Sequence, residues 1–179
     1  MAIADLNEDQ IYYFQLGRFM SQFSKAELMV FLFLTDLLGI TKHECNAITS
    51  GAKIDACIKF VKRIYDARSQ DIPANVLECF DKLGPLNKLR NDLVHWHTDS
   101  ELTVTNEVRA LPGRVVTYEI NSQILDDAIQ DLGKATLILS NITAPFSGPA
   151  TDLVKAQAVM NGPWRYKPPS QANNHQESL

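Results

Sequence analysis

The sequence predicts a mainly α-helical domain, and three observations carry that expectation. Apolar residues recur at three- and four-residue intervals through most of the first 95 positions and again from 124 to 142. Two tetrads, Ser24-Lys-Ala-Glu27 and Thr41-Lys-His-Glu44, have the capping-box form, in which a hydroxyl accepts from the N3 amide while a glutamate reaches back. Hydrophobic residues make up 45% of the 179, and charged residues 21%, a balance that builds one globular core rather than a coat of solvated chain.

Taken in order, Tyr12, Leu16, Phe19 and Phe23 mark a first helix from Glu8 to about Phe23. The Ser24 capping box then predicts a second helix that stops at Gly39, because glycine adopts the left-handed conformation that ends helices. Its run Leu28 to Leu34 is apolar throughout and predicts burial on nearly all sides. The Thr41 capping box starts a short helix ending near Ser50-Gly51. Ile54, Cys57, Ile58, Val61, Ile64 and Tyr65 make the inner stripe of a fourth helix reaching about Ser69.

Pro73 suits the first turn of the next helix, whose stripe Val76, Leu77, Phe80 and Leu83 resumes as Leu86, Leu89, Leu93 and Val94. Gly84-Pro85 interrupts that stripe and predicts a kink or break, since proline lacks an amide and clashes with the carbonyl four residues earlier. Two β-branched, alternating segments, Glu101–Val108 and Arg114–Ile120, flank Leu111-Pro-Gly113 and predict a small β-hairpin at about 101–120. Asn121 or Ser122 then caps a last long helix with Ile124, Leu125, Ala128, Ile129, Leu132, Ala135, Leu139 and Ile142 inward. The expected organisation is a helical domain over 1–143 and a proline-spaced, partly disordered tail over 144–179, with a brief helix near 152–160.

Composition excludes several classes. A formal net charge of −4 argues against a general electrostatic grip on nucleic acid, although it leaves room for a local phosphate site. Cys45, Cys57 and Cys79 follow no CxxC spacing and read as buried small hydrophobes in a reducing compartment. The N-terminus lacks the order of a signal peptide, and the most apolar run, 28–40, is too short to span a bilayer. A cytoplasmic protein with no membrane association is expected. No glycine-rich phosphate loop, GxSxG elbow or HExxH helix occurs.

One stretch rises above this background: Leu86-Asn-Lys-Leu-Arg-Asn-Asp-Leu-Val-His-Trp96. A histidine exchanges protons near neutral pH, and a guanidinium holds phosphate oxygens and stabilises charge that grows in a transition state. Arg90, Asn91 and His95 are therefore the candidate catalytic residues, with Asn91 orienting His95 or binding a phosphate or sugar oxygen. His97 and Asp92 are supporting candidates. On a regular helix Arg90 and His95 lie about 140° apart, so they meet only if the helix end unwinds or a second subunit completes the site. A purely structural account pairs Arg90 with Asp92 or Glu78 instead. Lys53, Lys59, Lys62, Arg63 and Arg68, on the outer face of the fourth helix, are a solvated face by default and an RNA-backbone track as the sharper alternative, with Lys59, Lys62 and Arg63 its leading candidates.

The string Leu89-Arg90-Asn91-Asp-Leu-Val-His95 resembles the Arg-(polar)-x-x-x-His signature of the HEPN superfamily, the higher eukaryotes and prokaryotes nucleotide-binding domains. The likeness covers roughly residues 8–142 and is greatest to uncharacterised bacterial members carrying an Arg-x4-His motif. Trp96 and His97 depart from the small residues often found after the motif, and His97 could substitute for His95 or assist it. The resemblance implies a four- to five-helix HEPN-like bundle, with the β-hairpin inserted before the last long helix, that pairs as a homodimer and brings two motifs together across a cleft. It further implies a metal-independent endoribonuclease of a toxin–antitoxin or phage-defence type. Arg90 would stabilise the phosphorane and His95 would move the proton, leaving a 2′,3′-cyclic phosphate. Expected partners are a second copy, RNA, and an antitoxin or regulatory protein; no cofactor and no metal are expected.

Two rivals stand beside it. His95-Trp-His97, with His43 and Cys45, makes a four-ligand zinc cluster conceivable, at no standard spacing. The other is a non-catalytic HEPN-like interaction module, a dimeric scaffold or regulatory partner.

Overall fold

A computed structural model describes residues 7–95, 97–98, 103–106, 114–143, 150–168 and 172–175. Among these the chain forms six helices: α1 (Glu8–Leu38), α2 (Lys42–Thr49), α3 (Ile54–Ala67), α4 (Ala74–His95), α5 (Ser122–Thr143) and α6 (Ala150–Asn161). Five of them lie within 1–143, the span of the expected four- to five-helix bundle, and α6 covers the brief helix expected near 152–160. The protein is mainly helical, as its periodicity predicts. Among the described residues no helix is long and apolar enough to cross a membrane.

The expected boundary at Ser24 is absent, and α1 runs unbroken for 31 residues. Phe19, Phe23, Ala26, Val30, Phe33 and Leu34 continue one buried stripe straight across that position. Each buried large apolar side chain contributes about 1.5–3 kcal/mol, which outweighs a cap worth about 1 kcal/mol. Ser24 instead donates its hydroxyl to the Met20 carbonyl at 3.0 Å, the back-bond of a mid-helix serine. The expected all-round burial of 28–34 also gives way, because Leu28 is 54% exposed. α1 begins at Asn7, whose side chain forms a capping box with Gln10, and ends at Gly39 with φ of 66°. From the end of α3, Arg68 reaches over to donate to the Leu37 carbonyl at 3.0 Å, supplying the cation that the last turn of α1 lacks.

The Thr41 capping box forms as predicted and starts α2. Of the kink or break expected at Pro85, the break does not form, and α4 runs through the proline. Leu83, Leu86 and Leu89, on either side of it, are all fully buried, so packing holds the stripe together across the missing amide. α5 lies along α1 and against α4, α3 packs on α1 and α4, and α6 packs on α5. Asn121 caps α5 by accepting from the Ile124 amide at 2.9 Å.

Four short strands, β1 (His97–Thr98), β2 (Thr103–Asn106), β3 (Arg114–Glu119) and β4 (Ala172–His175), pair antiparallel in the order β1-β2-β3-β4. The Leu111-Pro-Gly113 turn expected within 101–120 lies outside the described residues, as does Trp96.

The segment after α6 is held firmly. The Asp131 carboxylate, almost fully buried on α5, accepts from the Arg165 and Tyr166 amides at 2.8–3.1 Å. Lys134, one turn further along, donates to the Gly162 carbonyl and sits 4.3 Å from the Trp164 ring centroid. A carboxylate and an ammonium on one helix thus satisfy two amides and one carbonyl of an irregular strap that covers them.

Candidate phosphate-binding cleft

α4 delivers Arg90 and Asn91 next to one another, and the structure joins them. Arg90 Nη1 donates to Asn91 Oδ1 at 3.0 Å, and the guanidinium carbon lies 6.0 Å from the Phe23 ring centroid. Neither carboxylate considered at the sequence level holds the arginine, and among the described residues no ion pair engages it. Asp92 faces elsewhere: it is 5% exposed, pairs with Lys88 at 2.8 Å and lies close enough to Tyr166 to help push that phenol's pKa upward, after burial itself. Asp92 therefore serves the strap side of α4 rather than the arginine. Asn91 is a positioning residue for Arg90.

His95 closes α4, and His97 begins β1, where it pairs with Thr105. The side chains of both lie outside the described residues. Because α4 stays helical through His95, the route in which the helix end unwinds to bring Arg90 and His95 together is not taken. Within one chain the two positions keep their bearing of about 140°.

Arg90 opens onto a cleft of about 640 Å³ between α1, α2, the start of α3 and α4. Phe23, Leu28 and Phe31 of α1 form its apolar wall. Lys42 and His43 of α2, and Lys53 at the N-cap of α3, enter from the other side, and Glu27 is the one carboxylate on the lining. Asn87, one turn before Arg90 and nine-tenths buried, also lines it and donates to Asp55 at 2.6 Å. That bond ties α4 to the first turn of α3 and keeps the Asp55 carboxylate engaged. Three cationic side chains facing one carboxylate, beside an aromatic wall, suit a phosphorylated ligand with a planar or apolar portion.

Of the residues proposed from sequence, the cleft gathers Arg90, one hydrogen bond behind it Asn91, and Lys53 from the basic face of α3. The rest of that face does not line it: Lys59 and Arg63 are exposed, Lys62 bridges to Asp81 at 3.3 Å, and Arg68 donates to the Leu37 carbonyl. Sequence reasoning weighed His43 only as a metal ligand beside Cys45. On α2 the two lie about 200° apart, with Cys45 fully buried and His43 exposed, so they do not share a ligand. Among the described residues no cluster of three or more histidine, cysteine, aspartate or glutamate side chains could hold a metal ion. The three cysteines are free and buried. Nothing in the spacing of Lys42, His43 and Lys53 links them to Arg90; only the packing of α2 against α1 does.

No protein-family model, no curated protein and no solved structure matches this chain.

Proposed function

We propose that the protein is a metal-independent endoribonuclease of a toxin or defence type, acting in the cytoplasm as a homodimer. Arg90 binds the scissile phosphate and stabilises the charge of the phosphorane. His95 of the partner subunit moves a proton between the ribose and the attacked phosphodiester, giving a 2′,3′-cyclic phosphate. The observation that carries this reading is an arginine oriented by Asn91, unpaired by any described carboxylate and facing an open, cation-lined cleft. The angular separation of positions 90 and 95 on α4 supports the two-subunit version.

A second reading, a non-catalytic dimeric scaffold regulated by a partner protein, draws on a different face. Tyr13 and Phe14 are 67% and 42% exposed and line a shallow groove with Gly17 on α1. Aromatic side chains are enriched at protein–protein interfaces.

Cleavage of single-stranded and structured RNA in EDTA separates the two. Activity lost in both Arg90→Ala and His95→Ala, with folding intact, supports the nuclease. Absence of cutting across the panel favours the scaffold, and a strictly monomeric species at micromolar concentration by sedimentation removes the shared-site mechanism.

A further inference from the structure

Phosphodiester cleavage through a ribose hydroxyl needs two proton transfers. One group takes the 2′-hydroxyl proton as that oxygen bonds to phosphorus. A second delivers a proton to the 5′-oxygen as its bond to phosphorus breaks. The reading above assigns one of these to His95 and leaves the other without a residue.

We infer that His43 is the second proton-transfer group, and that Lys42 and Lys53 complete the phosphate subsite around Arg90. This rests on the nuclease reading and deepens it. His43 and Arg90 line the same cleft from opposite elements, α2 and α4. The His43 side chain is exposed, and among the described residues no hydrogen-bond partner fixes its imidazole, so a substrate atom can. Position is set by the Thr41–Glu44 capping box, which anchors the first turn of α2 and thereby the two residues between, Lys42 and His43. The charged groups facing His43 are Glu27 from α1, Lys42 from α2, Lys53 at the start of α3 and Arg90 from α4. A phosphate held by the three cations sits in the cleft that the imidazole borders. Asn87, buried and tied to Asp55, keeps α4 and α3 at fixed separation across that subsite. In the balanced step, one imidazole ends protonated by the 2′-hydroxyl and the other ends neutral after protonating the departing 5′-oxygen. The pair resets by exchanging with water.

Two measurements on the full chain test this. In the first, RNA cleavage in EDTA is followed against pH for wild type, His43→Gln and His43→Ala. Loss of one limb of the pH–rate profile, with a fall in kcat of about 10²–10⁴-fold, is expected. In the second, the imidazole resonance of His43 is followed by NMR as uridine 3′-monophosphate is added. A shift that saturates in wild type and disappears in Arg90→Ala is expected. Cleavage by His43→Gln with an unchanged profile overturns the assignment and leaves the nuclease reading standing. Wild type that cuts no RNA overturns the nuclease reading and this role with it. A His43 resonance indifferent to the nucleotide overturns the shared subsite even where RNA is cut.

Discussion

Asn91 holds Arg90 by a hydrogen bond of 3.0 Å between neighbouring residues on the same helix, so the amide that sequence placed beside the histidine instead aims the guanidinium. This separates two roles in one motif. On the proposed mechanism Arg90→Ala removes the phosphate contact and is expected to cost about 10²–10³-fold in kcat, the usual loss for a donor at developing charge. Asn91→Ala removes one positioning hydrogen bond of about 1 kcal/mol, or about fivefold. Metal-free RNA cleavage by the two variants, compared at saturating substrate, checks the ranking; equal losses contradict it.

The strap after α6 depends on Asp131. Its carboxylate is buried and answers two backbone amides, so Asp131→Ala leaves both donors without a partner. Hydrogen bonds to charged groups contribute about 1.5–3 kcal/mol each, and losing this pair is expected to destabilise the fold by at least about 2 kcal/mol. Urea unfolding of the variant reads the change as a lower midpoint.

Glu44 supplies a pH dependence of known sign. Its two bonds to Thr41, first to the backbone amide and then to the hydroxyl, hold its pKa below the ordinary value of 4.5. A depressed carboxyl contributes stability that is present above the unfolded pKa and lost as pH falls through the folded one. The helicity of α2 therefore weakens on acidification below about pH 4.5. Glu44→Gln is expected to remove that component of the acid transition, measured as the urea midpoint between pH 6 and pH 3.

Cys79 is shielded chemically as well as sterically. Burial, then the nearby Glu78, pushes its thiol up to about 12, and its Sγ points to the Ala135 carbonyl at 3.9 Å. At pH 8 a thiol with a pKa of about 12 is about 10⁻⁴ thiolate, against about a quarter for an ordinary thiol. Alkylation by iodoacetamide at pH 8 is expected to spare Cys79 in native protein and to proceed at once in urea. Rapid native labelling of Cys79 contradicts the packing of α4 on α5.

Much of the helical framework was legible residue by residue. Thr41 and Glu44 announced α2, Gly39 ended α1, and Asn121 capped α5, because each signal acts on backbone groups within about four residues. The same local logic failed at Ser24, and at Pro85 it allowed a break that did not form. There a cap or a breaker was set against buried side chains on both flanks, and burial won. At the site, Arg90 and Asn91 stood out as residue types suited to phosphate chemistry, whereas Lys42, His43 and Lys53 had no sequence signal tying them to α4.

By itself, the sequence determined which segments are helical, where most of them start and stop, and which faces are apolar. These follow from propensity, capping and periodicity, all short-range effects. Only the tertiary structure decided that α2 lies against α1 and sets His43 on the cleft that Arg90 lines, and that Asp131 receives amides 34 and 35 residues away. Such meetings depend on how whole helices pack and on burying polar groups only where partners await them. No local spacing encodes that choice.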